Sequence, residues 1–236
     1  MAKLYLIPTS IHDEGQSQDI PESVSRIVQG LRIFIVEEEK TARRYLKSLF
    51  KDFPLREAIF FVYNEHHLAG EALKILDEIG ARDCGLLSEA GAPCVADPGN
   101  QIVLEAHRRG AEVVPLVGPS AILLALMSSG LNGQRFCFHG YLPKDKNERI
   151  RALQGLEQRS WQDRETQIFM EAPYRNESLL NDVFSFCDKD TWLCIACDLC
   201  GANQFIKTMT IERWRENMPS VDKRPTLFLL EKRKRT

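Results

Sequence analysis

The chain has 236 residues, 44% of them hydrophobic and 27% charged, with a formal net charge of −2. That balance suits one large or two modest folded domains and excludes a disordered chain, and no apolar run approaches the ~20 residues of a membrane-spanning helix. A charge this close to neutral excludes global attraction to nucleic acid or acidic lipid, so a polyanionic partner requires a local basic surface.

The opening MAKLYLIPTS passes from a short apolar stretch straight into strand-like sequence with no separate cleavage region. It reads as the first strand of a cytoplasmic protein. Short apolar runs then alternate with longer helix-like patterns, the mark of βαβ units and a parallel sheet. Strands are predicted at residues 3–8, 33–37, 59–62, 83–87 and 112–115, and helices at 21–30, 40–50, 68–79 and 99–109. Pro21 and Pro98 suit helix starts, while Gly30, Gly80 and Gly110 suit helix ends.

After Gly118 the pattern changes. A helix is predicted at 120–130, a strand at 135–140, a basic helix at 146–158, strands at 166–171, 192–198 and 226–231, and a helix at 176–186. The last three strands are joined by shorter or polar connections such as GANQFIKTMTIERW, which makes antiparallel pairing the expectation. The fold expected is therefore α/β with two α/β domains. The first, residues 1–116, has a mainly parallel sheet, the second, residues 117–236, a mixed one, and a ligand cleft lies between them.

The seven cysteines are odd in number and scattered, which is not a disulfide framework. Cys194, Cys197 and Cys200 have metal-like spacing, but a strand through TWLCIACDL sends Cys194 and Cys197 to opposite faces, so they read as packing residues and no metal is expected. His66 and His67 lack a second ligand at metal spacing and read as surface residues. Local basic surfaces are offered by Arg43 and Arg44 in one helix, by Lys144, Lys146, Arg149 and Arg151 in another segment, and by the terminal EKRKRT.

Two segments carry most of the functional signal, LLSEAGAPCVADPG at residues 86–99 and VVPLVGPSAILLAL at 113–126. In each, an apolar run ends in Gly, Pro and small residues, leaving the backbone at the strand end uncrowded, as an open α/β sheet requires where it binds a small ligand. With LYLIPTSIHD, FCFHGYLPKDKNERIRAL and FMEAPYR in the same order, these segments resemble the tetrapyrrole methylase superfamily of S-adenosylmethionine-dependent methyltransferases. Within it they are most similar to the branch that methylates a cytidine ribose 2′-hydroxyl in small-subunit ribosomal RNA. The resemblance runs from Leu4 to about Leu230.

The resemblance implies a homodimer with S-adenosylmethionine between two α/β domains. It implies cofactor contacts from Ile11, His12, Ala90, Gly91, Ala92, Val95, Ser120, Ala121, Glu171, Leu199, Pro225 and Thr226. Small residues there would expose backbone groups to the cofactor, and Val95 and Leu199 would supply apolar wall. VEEEKTARRYL is similar to the branch's AEDTRHTRKLL, and YNEHH keeps an Asn-Glu pair. Contacts to a ribosomal RNA or small ribosomal subunit are accordingly assigned to Lys40, Arg43, Asn64, Lys144 and Arg149, although Asn64 and Glu65 also fit a capped turn. Asp13 and Glu65 are the candidates to accept the hydroxyl proton.

Three positions depart from the branch: His12 stands for a glycine, Glu89 for an aspartate, and CDLCG at 197–201 for a segment close to RELTK. The last change removes an Arg and a Lys and leaves other acceptors open, a tetrapyrrole or another small molecule. It also leaves open a binding protein that kept the fold without catalysis.

Overall fold

The computed structural model describes residues 3–12, 19–67 and 69–233, and the chain divides into two compact units, Met1–Ser120 and Ala121–Thr236. The first unit runs β1 (Lys3–Ile7), α1 (Glu22–Gly30), β2 (Ile33–Val36), α2 (Glu39–Leu49), β3 (Ile59–Val62), α3 (Ala69–Ile79), β4 (Cys84–Leu87), α4 (Asn100–Arg108) and β5 (Glu112–Pro115). Its sheet has the order β3-β2-β4-β1-β5 with every pairing parallel.

The apolar runs explain that order. IFIV of β2 and CGLL of β4 are buried at every position, as strands covered on both faces must be, whereas β3 and β5 are edges with exposed ends. Period-two geometry divides the buried side chains between two cores. Phe34 and Val36 join Ile7, Val28 of α1 and Leu46 of α2, while Ile33 and Ile35 join Leu76 of α3 and Ile102 and Ala106 of α4. The chain therefore leaves β1 for a helix on one face and leaves the neighbouring β4 for a helix on the other. Their carboxyl ends form the switch point, the place where open α/β sheets bind ligands.

The second unit contains α5 (Ala121–Ser129), β6 (Phe136–Tyr141), α6 (Lys146–Asp163), β7 (Thr166–Met170), α7 (Asn176–Phe186), β8 (Trp192–Cys197), β9 (Phe205–Thr210), α8 (Ile211–Glu216) and β10 (Thr226–Glu231). The sheet order is β6-β7-β10-β8-β9. Only β6 and β7 are parallel; β10 is antiparallel to β7 and β8, and β9 to β8, so the sheet is mixed as expected. Leu153 of α6, Leu179 and Val183 of α7 and Trp214 of α8 close one core over Phe169 and Phe228, whose rings stack at 5.8 Å. Helix α5 packs on β8, β9 and β10, where the Thr208 hydroxyl donates to the Ser129 carbonyl at 2.7 Å.

The segment expected as a polar connection after residue 201 instead supplies β9 and α8. In FIKTMT only Lys207 is exposed, so the strand is a half-buried edge whose Lys and Thr interrupt the apolar pattern. Ile211 and Trp214 of α8 are buried, and the Trp214 indole donates to the Leu193 carbonyl at 2.8 Å. Helix α6 continues past residue 158 to Asp163, since Ser160 is still buried one turn later. Among the described residues no helix is long and apolar enough to cross a membrane.

Candidate functional site

Three loops of the first unit meet at the switch point. The loop after β1 is anchored by the Tyr45 hydroxyl, which donates to the Pro8 carbonyl at 2.7 Å and is held protonated by burial. Thr9 and Gly91 exchange both backbone hydrogen bonds, at 3.0 and 3.1 Å, and so tie this loop to the one after β4. The Ser88 hydroxyl, 3.3 Å from that of Thr9, donates to the Gly91 carbonyl at 2.7 Å. Gly91 has φ +75°, and a Cβ there would lie 3.0 Å from Ile11 Cγ2. At Gly118, after β5, a Cβ would lie 2.2 Å from Pro8 Cγ, so the third loop reaches the first only with glycine at that position.

Of the sequence-predicted cofactor residues, these loops bring together Ile11, His12, Ala90, Gly91, Ala92 and Ser120. Gly91 is buried, Ile11, His12, Ala92 and Ser120 are half-buried, and Ala90 and Val95 are exposed. Ala121 opens α5.

In the second unit the register does the gathering. Leu227 of β10 pairs with Met170 and Thr226 with Cys197, so Glu171, Leu199 and the Pro225-Thr226 pair share one end of the sheet. Glu171 is buried and accepts hydrogen bonds from the Ala172 amide at 2.7 Å and from Arg175. The Asn176 amide nitrogen donates to the carbonyls of Val221 and Arg224 and to the Thr226 hydroxyl. Arg224 in turn donates to Asp198 at 2.8 Å and to the Asn203 carbonyl at 2.6 Å, ordering the CDLCG segment around the left-handed Asp198 and Cys200. That loop thus contains a guanidinium, but one drawn from outside the segment and engaged by a carboxylate. Cys194 and Cys197 are buried in β8, where burial pushes the Cys194 thiol up to about 11 and raises that of Cys197.

Buried polar atoms are normally paired. The five buried side-chain atoms without a partner among the described residues are His12 Nδ1, Asp19 Oδ1, Glu171 Oε2, Arg175 Nε and Asn176 Oδ1. Two of them belong to predicted cofactor contacts, His12 and Glu171. His12 Nδ1 lies in the first unit and Glu171 Oε2 in the second, and each is a polar atom that a ligand of its own unit's site can pair.

The remaining predicted residues divide by exposure. Lys40 and Lys144 are exposed. Arg43 is engaged inside the first unit, donating to Glu39 at 2.7 Å and to the Leu55 carbonyl at 3.2 Å, with its guanidinium 4.4 Å from the Phe60 ring. Asn64 caps its own turn, its Oδ1 lying 2.8 Å from His67 Nδ1 and accepting from the His66 amide at 3.1 Å. Arg149 is buried, donating to Asp182 at 2.6 and 2.8 Å and to the Lys144 carbonyl at 3.1 Å, so its expected contact with substrate gives way to an internal ion pair. Glu65 is exposed with His66 Nε2 3.9 Å away, and Asp13 lies outside the described residues.

Two carboxylates beside these loops escaped the sequence reading as site groups. Glu37, at the end of β2, and Asp97 line a hollow of about 10 Å³ with Tyr63, Leu86 and Gly99. Burial raises the pKa of both, and for Glu37 the neighbouring Asp97 and Glu89 add to the effect. Asp97 accepts from the amides of Cys94 at 2.7 Å and Gly99 at 2.8 Å. The signal available for it was the Asp-Pro-Gly run before a helix, which favours a side chain bonded to its own turn.

No family model matches the chain. It is 30% identical over 199 residues to the ribosomal RNA small subunit methyltransferase I of Escherichia coli O157:H7, a match covering 84% of this chain and 65% of that protein. For the protein of that name from Bacillus subtilis strain 168 the figures are 32% over 182 residues, 77% and 58%. With that from Synechocystis sp. the identity is 31% over 201 residues, covering 84% of this chain and 67% of the relative. The chain belongs to the ribosomal RNA small subunit methyltransferase I family. It spans less than two thirds of the Escherichia and Bacillus members of that methyltransferase I family. The structure of diphthine synthase superposes with a TM-score of 0.68 at 13% identity, covering 98% of this chain and 90% of that one. That of the methyltransferase CobJ gives 0.61 at 16%, covering 100% and 96%. These likenesses show that this methyltransferase I family member has the tetrapyrrole methylase fold.

Proposed function

We propose that the protein is an S-adenosylmethionine-dependent methyltransferase acting on the ribose 2′-hydroxyl of a cytidine in small-subunit ribosomal RNA. The observation that carries this reading is the convergence of the loops after β1, β4 and β5 at the switch point, in a chain of the methyltransferase I family.

S-adenosylmethionine supplies a methyl group on a sulfonium, an excellent leaving group. The protein's task is therefore mainly positioning. Ile11, Ala90, Gly91, Ala92, Ser120 and Ala121 offer backbone groups, His12 Nδ1 and Glu171 Oε2 offer the unpaired polar atoms, and Val95, Leu199, Pro225 and Thr226 complete the contacts. Lys40 and Lys144 contact phosphates, fixing the strand without reading its sequence. Asp13 or Glu65 accepts the hydroxyl proton as the new bond forms. The working form is a homodimer in the cytoplasm.

Calorimetric titration with S-adenosylmethionine is expected to saturate near one site per chain, and the loaded protein to methylate small ribosomal subunits. In single-turnover assays Asp13→Asn or Glu65→Gln slows transfer; if neither does, the base lies elsewhere. An absence of binding would support a non-catalytic member of the fold, and binding with transfer to a porphyrinogen but not to ribosomal RNA a small-molecule enzyme.

A further inference from the structure

At the end of the second sheet that gathers Glu171, Leu199 and Thr226, two aromatic rings project into solvent. Tyr141, the last residue of β6, is 60% exposed, and Tyr174, in the 3-10 turn Pro173–Arg175 after β7, is 70% exposed. Strands β6 and β7 are parallel with Tyr141 opposite Met170, so only the short run from Met170 to Tyr174 separates the second ring from the strand partner of the first.

Neither ring is exposed by default of packing. The β6–β7 register shifts between Phe138 and Tyr141, where Gly140 has φ +65°, and an irregularity of this kind re-aims the side chain that follows it. Tyr174 has the Arg175 guanidinium 5.6 Å from its ring centroid, and Arg175 is held by the buried Glu171. A cation thus backs a ring that remains largely open to solvent.

Exposed cations follow the first ring closely along the chain. Three residues past Tyr141 the chain reaches Lys144, then Lys146 and Arg151, all exposed. Among the described residues Lys144 and Arg151 make no ion pair. Of the neighbouring acids, Asp145 is engaged as the cap of α6, accepting from the Glu148 amide at 3.0 Å, and Asp182 is held by Arg149. Glu148 and Glu177 are exposed.

We propose that Tyr141 and Tyr174 form a stacking platform for unpaired bases of the RNA substrate, with Lys144 and Arg151 on the adjoining phosphates. This deepens, and rests on, the ribosomal RNA reading given above. Two exposed rings at one end of a sheet, with exposed cations that make no ion pair among the described residues in the segment following the first, match single-stranded RNA, because every base offers a π face and every linkage a negative charge.

The test is equilibrium binding of a short, mixed-sequence, single-stranded oligoribonucleotide to the full chain with S-adenosylmethionine present, over a range of salt. Tyr141→Ala and Tyr174→Ala are each expected to weaken binding about 5- to 100-fold with no change in the salt dependence. Tyr141→Phe and Tyr174→Phe keep the ring and bind as the parent does, which separates stacking from misfolding. Lys144→Gln lowers the slope of log affinity against log salt by about 0.7, the value for one lost phosphate contact on a single strand. Alanine variants that bind like the parent overturn the platform while leaving the ribosomal RNA reading intact. So do variants whose loss phenylalanine does not restore, and variants that lose self-association but keep RNA. A parent chain that binds S-adenosylmethionine but neither binds the oligoribonucleotide nor methylates ribosomal RNA overturns both.

Discussion

Glu37 closes a fully buried strand with a carboxyl that its surroundings disfavour as a charge. Burial is the largest cause, and Asp97 and Glu89 add repulsion, so its pKa in the folded chain stands above the ordinary 4.5. An acid with a raised native pKa binds more protons folded than unfolded, so stability falls as pH rises from about 4.5 through the raised value. Below that window both states are protonated and the penalty vanishes. Glu37→Gln is therefore expected to raise the melting temperature at neutral pH and to leave it unchanged near pH 4. An equal shift at both pH values would assign the effect to packing. The same corner shows what single residues disclose in a sequence. Gly91 and Gly118 were legible, because a glycine ending an apolar run announces close approach of backbone. The pairing of Glu37 with Asp97 was not, since it arises only when β2 and β4 become neighbours in the sheet.

Helices α6 and α7 are joined by the buried pair Arg149 and Asp182, each with 5% of its side chain exposed. Removing one partner of a buried pair leaves a charge without its counterion, which costs about 3–5 kcal/mol, whereas replacing both with apolar groups is often close to neutral. Asp182→Asn is expected to destabilise the protein by that amount in denaturant unfolding, and Arg149→Met with Asp182→Leu to recover most of it. A single variant costing less than about 1 kcal/mol would mean that water reaches the pair. The expectation that Arg149 contacts substrate came from its place in a basic cluster, and composition does not reveal which face of a helix a residue takes. Its spacing does: Arg149, Leu153, Leu156 and Ser160 are all buried and recur at helical intervals. Buried parallel strands were readable for the same kind of reason, as unbroken apolar runs such as IFIV. Strand β9 was not, because an edge strand alternates apolar with polar residues and its Lys207 and Thr208 look like a connection.

Each unit has its own core, so the molecule need not unfold in a single two-state step. The contacts proposed for S-adenosylmethionine are divided, with Ile11, His12 and the loop around Gly91 in the first unit and Glu171, Leu199 and Thr226 in the second. A ligand stabilises only what it binds, by an amount that reaches about 2.7 kcal/mol at a concentration one hundred times its dissociation constant. All three tryptophans, Trp161, Trp192 and Trp214, belong to the second unit, so indole fluorescence reports on that unit alone. Saturating S-adenosylmethionine is expected to raise the melting midpoint followed by tryptophan fluorescence together with that followed by far-ultraviolet circular dichroism. Glu171→Gln, which changes the carboxylate carrying the unpaired Oε2, should reduce the shift seen by the tryptophans. A fluorescence midpoint that stays fixed while the dichroism midpoint rises would confine the ligand to the first unit and remove Glu171, Leu199 and Thr226 from its contacts.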